Sequence, residues 1–151
     1  MTTNDNITIV RKLYDCINEH DLECTLPLAH EKVEWCDMST GIRLRGKDGF
    51  KQSNQNWLSA FPDVKIVITN IFATDEFVVA EYLAKGTHSG TLKTSVGQFE
   101  STRRQMEMNF CDVIHLENGK ITSGHSYYDF MTLLNQIGVS VGSEMQKKRV
   151  A

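Results

Sequence analysis

The stretch MEMNFCDVIHLENGKITSGHSYYDF, residues 106–130, decides how the chain is read. In its first half Met106, Met108, Phe110, Asp112, Ile114 and Leu116 fall at every second position, the spacing that lines one face of a β-strand. A long strand is therefore expected over 101–116. Asn118 and Gly119 follow, and because both tolerate positive φ, residues 117–120 read as a hairpin turn. A partner strand is expected over 121–128, with Ile121, Ser123, His125 and Tyr127 on the face that continues to Asp129. A short helix over 131–137 then closes near Gly138.

Working outward, 64–74 is rich in β-formers, Asp75-Glu76 reads as a turn, and another strand starts at Phe77. Val78, Ala80, Tyr82, Ala84, Gly86 and His88 share one of its faces. Before Pro62 the period changes. Ile7, Val10, Leu13, Tyr14 and Ile17 recur at helical spacing, with Asn4, Asp5 or Asn6 as the cap. Residues 22–30 read as a short, irregular helix carrying Pro27. Val33, Trp35 and Asp37 share one face of a strand. Phe50, Trp57, Leu58 and Phe61 mark a further helix that Pro62 ends. Helices first and an antiparallel meander afterwards define an α+β domain. A strongly curved, mainly antiparallel sheet with helices over its concave face would enclose a pocket. One domain is expected over 1–140 and a flexible tail over 141–151, its Lys147-Lys148-Arg149 run a solvated chain end.

Composition narrows the function classes. With 151 residues the chain suits one domain with one core. Its 16 Lys and Arg against 19 Asp and Glu leave no basic excess, which argues against a nucleic-acid partner. No apolar run approaches the roughly 20 residues that span a bilayer, so no membrane partner is expected. The N-terminal MTTNDNITIV lacks a basic and then apolar leader, and a cytoplasmic protein is expected. Cys16, Cys24, Cys36 and Cys111 are scattered without a C-x-x-C pair and read as reduced, buried thiols. There is no G-x-G-x-x-G, P-loop or G-x-S-x-G sequence and no H-x-x-x-H pair, so neither cofactor nor metal is expected.

Chemistry is expected where polar residues interrupt apolar strand faces. Asp37 lies beside Trp35, His88 beyond Tyr82, and Asp112 between Phe110 and Ile114; a fourth face carries His125, Tyr127 and Asp129. Burying an ionisable group costs several kcal/mol unless it is paired or neutralised. If these faces converge, carboxylates, imidazoles and aromatic walls meet in one cavity, the equipment for acid–base work on a largely apolar molecule. Each residue also has a purely structural reading. Asp129 suits the N-cap of the last helix, although Thr132 rather than Glu or Gln stands where a capping box needs its partner. His88 sits in Gly86–Gly90, where the glycines suit a strand bend. Asp37 suits an anchor for the turn at 39–41, and His125 and Asp112 suit a pairing with each other or with backbone. Trp35, Trp57, Phe61 and Tyr82 serve a core as readily as a ligand wall.

Four segments in order, IVRKLYDCINEHDLECTLPLAHEKVEW (9–35), RGKDGFKQSNQNWLSAFPDV (45–64), GTHSGTL (86–92) and DVIHLENGKITSGHSYYDFMTLLNQIG (112–138), resemble the SnoaL-like polyketide cyclase, or ester cyclase, family of the nuclear transport factor 2-like superfamily. The resemblance covers 7–138. It implies a cone-shaped α+β barrel and a cofactor-free intramolecular aldol condensation. It further implies that Asp129, at the end of the last strand, is the acid/base, with His88 from the G-T-H-x-G motif and His125 from the last strand beside it. The chain departs from the family in lacking proline over 91–100 and in carrying GHSYYD for a Glu-His-Trp run.

The expected mechanism has Asp129 removing a proton α to a carbonyl and returning one to the new alkoxide. His88 and His125 would donate to the oxyanion, Tyr127 would assist, and Trp35, Asp37, Trp57, Phe61, Tyr82 and Asp112 would line the substrate site. The substrate is a small apolar or polyketide-like molecule. A second enzymatic reading has Asp37 and Asp129 hydrolysing or isomerising an epoxide or enone through a water. A third makes the chain a non-catalytic ligand-binding or assembly module, a reading that gains if Asp129 faces solvent and accepts from the N–H of Met131 or Thr132. Val79 and Val113 on the exposed sheet face lead to an expected homodimer.

Overall fold

A computed structural model describes residues 2–139. The tail expected over 141–151, and the basic run within it, lie outside the described residues.

The chain runs α1 (Thr3–Asn18), a 3-10 segment (Glu23–Leu28), β1 (Ala29–Asp37), β2 (Arg43–Arg45), α2 (Gly46–Ala60), β3 (Lys65–Ala73), β4 (Phe77–Thr87), β5 (Leu92–Thr94), β6 (Gly97–Phe99), β7 (Gln105–Glu117), β8 (Lys120–Tyr127) and α3 (Phe130–Gln136). Six strands form one curved sheet in the order β2-β1-β8-β7-β4-β3, and β5 and β6 pair separately as a small hairpin. All pairings in the large sheet are antiparallel except β1 with β8. The expected α+β class and curved sheet are observed. The sheet is not closed on itself: β2 and β3 are its edges.

Local chemistry explains most boundaries. Thr2, not Asn4–Asn6, caps α1. Its hydroxyl accepts from Asp5 N at 3.1 Å while Asp5 Oδ2 accepts from Thr2 N at 2.8 Å, a reciprocal box that starts the helix four residues earlier than its apolar stripe. The 3-10 segment carries Pro27 as expected. Asn118 and Gly119 take φ of +48° and +73°, the left-handed pair that closes the β7–β8 hairpin. Along β7 burial alternates without a break from Met106 to Leu116, and along β4 from Val78 to Ala84.

β8 departs from expectation, and the departure decides the site. Leu116 pairs with Ile121 and His115 with Ser123, so β8 spends one extra residue, Thr122, for a single step along β7. That bulge inverts the strand's parity, as any one-residue slip must. After it, Gly124 and Ser126 are buried on the concave side, while His125 and Tyr127 turn to the outer face. Gly124 is required there: a Cβ would stand 2.1 Å from the Trp35 ring, which lies across it from β1.

Cys16 and Cys24 are joined by a disulfide that ties α1 to the 3-10 segment, which corrects the expectation of four reduced thiols. Cys36 and Cys111 remain free. Among the described residues no helix is long and apolar enough to cross a membrane.

Candidate functional site

Strand register assembles the site. On the concave face Ile71, Ala80, Asp112, Ser126 and Asp37 form one row across β3, β4, β7, β8 and β1, each paired with the next. Two carboxylates therefore flank Ser126, with Cα atoms about 10 Å apart, two strand spacings. On the convex face Phe72, Val79, Val113, His125 and Cys36 form the neighbouring row. His125 and Asp112 lie on opposite sides of the sheet, so they neither pair nor share a cavity.

Asp112 is buried. Its Oδ2 accepts from the Tyr14 hydroxyl at 2.8 Å, and its Oδ1 accepts from Ser126 at 2.6 Å and from Tyr82 at 3.4 Å. A carboxylate offers about four lone-pair sites, so three donors leave one free. Burial pushes the Asp112 carboxyl up to about 6; the Ser126, Tyr14 and Tyr82 hydroxyls pull it back down, and the charge of Asp37 adds to the rise. Tyr14 and Tyr82 are themselves pushed well above the usual phenol range, first by burial and then by the negative Asp112, so both stand as donors. Their rings pack 5.0 Å apart, and Tyr82 stacks on Phe110 at 5.2 Å.

Asp37 is held differently. Oδ1 accepts from the backbone N–H groups of Ser39 and Thr40, each at 3.0 Å, and Oδ2 from the Tyr128 hydroxyl at 2.7 Å. The turn-anchor reading of Asp37 is thus realised, and Tyr128, raised above the usual phenol range by burial and then by Asp37, is its third donor.

Between this face and the helices lies a cavity in two adjoining lobes that share Trp35, Ser53, Trp57 and Ser126 as walls. One lobe is bounded by Asp37, Thr40, Asn56, Lys93 and Tyr128. The other is bounded by Asp112, Tyr14, Tyr82 and an apolar lining that includes Leu13, Ile66 and Met106. Of the residues expected at the site, Asp37, Trp35, Trp57, Tyr82 and Asp112 meet here. Phe61 lies one layer back, fully buried and stacked on Trp57 at 6.1 Å.

Four more expected residues lie outside both lobes. Asp129 is exposed and caps α3, its Oδ1 accepting from Thr132 N at 3.1 Å. These backbone donors hold its carboxyl below the usual range, the opposite of a desolvated acid. His125 and Tyr127 face outward because of the Thr122 bulge. His88 is fully buried beside Phe61, its Nδ1 3.0 Å from Thr102 Oγ1 and accepting from Thr102 N at 3.3 Å, while backbone bonds to Arg103 and Arg104 fix the end of β4. Burial holds its imidazole below the usual value. Tyr14, Ser126 and Tyr128 were missed. Tyr14 sits in the helical stripe of α1 and reads as core, yet a buried tyrosine hydroxyl needs a partner, which was the available signal. Ser126 and Tyr128 are hidden by the parity inversion.

The model of the SnoaL-like polyketide cyclase family matches residues 7–137. The chain belongs to this family. No curated protein matches it. Among solved structures it is similar to a candidate SnoaL-like polyketide cyclase from Jannaschia sp. CCS1, with a TM-score of 0.81 and 13% identity over 91% of this chain and 94% of that one. IdmH from Streptomyces antibioticus, a candidate polyketide cyclase, aligns with a TM-score of 0.72 and 24% identity over 89% and 99% of the two chains. A protein of ketosteroid isomerase-like fold from Catenulispora acidiphila aligns with a TM-score of 0.73 and 16% identity over 89% and 95%. At these identities the likeness establishes the fold alone, and the family membership supports a cyclase-like role. Among the described residues no group of three or more His, Cys, Asp or Glu side chains could hold a metal ion.

Proposed function

We propose that the chain is a cofactor-independent cyclase or isomerase of a carbonyl-containing small molecule, with Asp112 rather than Asp129 as its acid/base. One observation carries the reading: a buried carboxylate on the wall of a largely apolar cavity, gripped by three hydroxyls and poised near 6. A base with that value is ionised near neutral pH yet holds an abstracted proton well enough to return it. With its free lone-pair site Asp112 removes a proton α to a substrate carbonyl, and the electron pair of that C–H bond becomes the enolate. In cyclisation the enolate carbon forms a bond to a second carbonyl, and the resulting alkoxide takes the proton back from Asp112. In isomerisation the proton returns at a different carbon. Tyr14, Tyr82 and Ser126 hold the carboxylate in place, and Trp35 and Trp57 fold the chain so that its reacting carbons meet, the kind of positioning that supplies much of such a rate.

The reading is tested by deuterium uptake and ring closure on a panel of aryl poly-β-ketones in D2O, followed by NMR. Catalysis that rises through about pH 6 and is lost in Asp112→Asn supports it; full turnover in that variant removes it. The outward cap of Asp129 favours the alternative of a non-catalytic binding module, which predicts saturable binding of the same compounds with no exchange. The convex face, with Val67, Phe72, Phe77 and Tyr127 exposed, is the surface through which the chain would form a homodimer.

A further inference from the structure

We infer that the ligand is two-ended, and that the lobe bounded by Asp37, Thr40 and Lys93 receives a single negatively charged carboxylate. This rests on the reading of the cavity as a substrate site and names the substrate class. Asp37, its one carboxylate, already accepts from Ser39 N, Thr40 N and the Tyr128 hydroxyl. The groups left over can all donate. Thr40 Oγ1 is buried and has no partner among the described residues. Asn56 spends its oxygen on Gln52 Nε2 at 2.8 Å, and its amide N–H groups have no partner among the described residues. The Ser53 hydroxyl, on the wall common to both lobes, has no hydrogen-bond partner among them either. Lys93 lines the lobe and, unlike Lys47, Lys51 and Lys85, makes no ion pair among the described residues.

A buried hydroxyl left unpaired, as at Thr40, costs free energy; with the half-buried Asn56 and Ser53 and the exposed Lys93 around it, the set matches an acceptor-rich group from outside the protein. One lysine beside an already compensated Asp37 fits one negative charge; a dianion would face Asp37 with its second charge unpaired. The other lobe has the opposite character. Its spare group is an acceptor, the free lone-pair site of Asp112, set among Leu13, Ile66 and Met106. A ligand matching both lobes carries a carboxylate at one end and an apolar body at the other, its acidic C–H facing Asp112.

The test uses 4-(2-naphthyl)-4-oxobutanoic acid and its methyl ester, titrated calorimetrically into the full chain at pH 7.5. The acid is expected to bind at least about tenfold tighter than the ester, the size of effect that hydrogen bonds to a charged group supply. Lys93→Met is expected to bring that ratio close to one, and Thr40→Val to reduce it less, both variants keeping the circular dichroism of the wild type. Asp112→Asn is expected to leave the ratio unchanged. Equal or tighter binding of the ester, an unaltered ratio in Lys93→Met, or no saturable binding of either compound overturns the inference. Loss of the acid preference while Asp112→Asn still abolishes exchange refutes this subsite alone. A retained preference beside an active Asp112→Asn refutes the catalytic reading alone.

Discussion

Replacing Asp112 by Asn separates its two properties, because the same burial that tunes the carboxyl also burdens the fold. In the folded protein the carboxyl titrates near 6, against an ordinary value of 3.8. A raised carboxylate binds more protons folded than unfolded between those values, so its contribution to stability is present below 3.8 and lost as pH rises through 6. The difference of about 2.2 pH units, at 1.36 kcal/mol per unit, amounts to about 3 kcal/mol lost by pH 7. Asn carries no charge and does not lose it. It does bring an NH2 where Ser126 and Tyr14 both donate, and forcing one of those hydroxyls to turn costs about 1–3 kcal/mol. Near neutral pH the two effects offset, so the variant is expected within about 1–2 kcal/mol of the wild type, while exchange falls by about 10²–10⁴.

The assay is urea unfolding of both proteins from pH 3.5 to 7.5, read by tryptophan fluorescence. Other groups also titrate in this range. Asp5, Glu34, Asp63 and Asp129 are held low in the fold and His88 is held below its usual value, so each withdraws stability as pH falls. They are common to both proteins and cancel in the difference. That difference is expected to shift in favour of the variant by about 3 kcal/mol across the interval, most steeply between 4 and 6. A flat difference would show that Asp112 is solvated in the folded protein and would remove the basis for its catalytic role.

Three further outcomes follow from the geometry. Gly124→Ala places a Cβ 2.1 Å from Trp35; with Trp35 held against Phe50, it should cost about 2–3 kcal/mol or more, about 5–10 °C of melting temperature. An unchanged melting curve would show that Trp35 does not cross β8. Asp129→Ala removes the cap of α3, so the melting temperature should drop measurably while exchange and ring closure persist at wild-type rates; a variant that melts normally but is inactive would return the acid/base role to Asp129. Val113→Lys sets a charge in the middle of the convex row of Phe72, Val79 and His125. Sedimentation velocity should show a dimer for the wild type and a monomer for the variant, and a monomeric wild type would exclude the proposed homodimer.

How far the sequence could be read depends on how far a period can be counted without interruption. β4 and β7 alternate cleanly, so their faces, the outlying Asp112 and the hairpin at Asn118-Gly119 were all legible. α1 and α2 were legible from their stripes, though the Thr2 cap lay outside the apolar pattern that revealed the helix. β8 was legible only as far as Ile121. A bulge leaves no mark in composition, and Thr122 is as ordinary a strand residue as its neighbours, so counting by twos across it delivered His125, Tyr127 and Asp129 to the cavity and hid Ser126 and Tyr128. The one local hint was Gly124, since glycine inside a strand marks a bulge or a close approach. Here it marks the close approach of Trp35, two residues past the bulge at Thr122.

The same contrast explains why two aspartates of one chain exchange roles. Asp129 was favoured by its position at the end of a strand, but a strand end before a helix is also where exposed backbone N–H groups gather, and they claimed it. Asp112 has no such neighbours. It sits between Phe110 and Ile114 in the middle of the longest strand, where the sheet consumes every backbone donor and only hydroxyls from α1, β4 and β8 can reach it. Asp112 is fully buried whereas Asp129 is exposed, so desolvation outweighs the three hydroxyl donors and the acid is left titrating near 6. A carboxylate in the interior of an apolar strand face is therefore the stronger chemical signal, because nothing local accounts for it. The fold tolerates the cost of its burial, and a proton carried between two carbons of a substrate is a use that matches that cost.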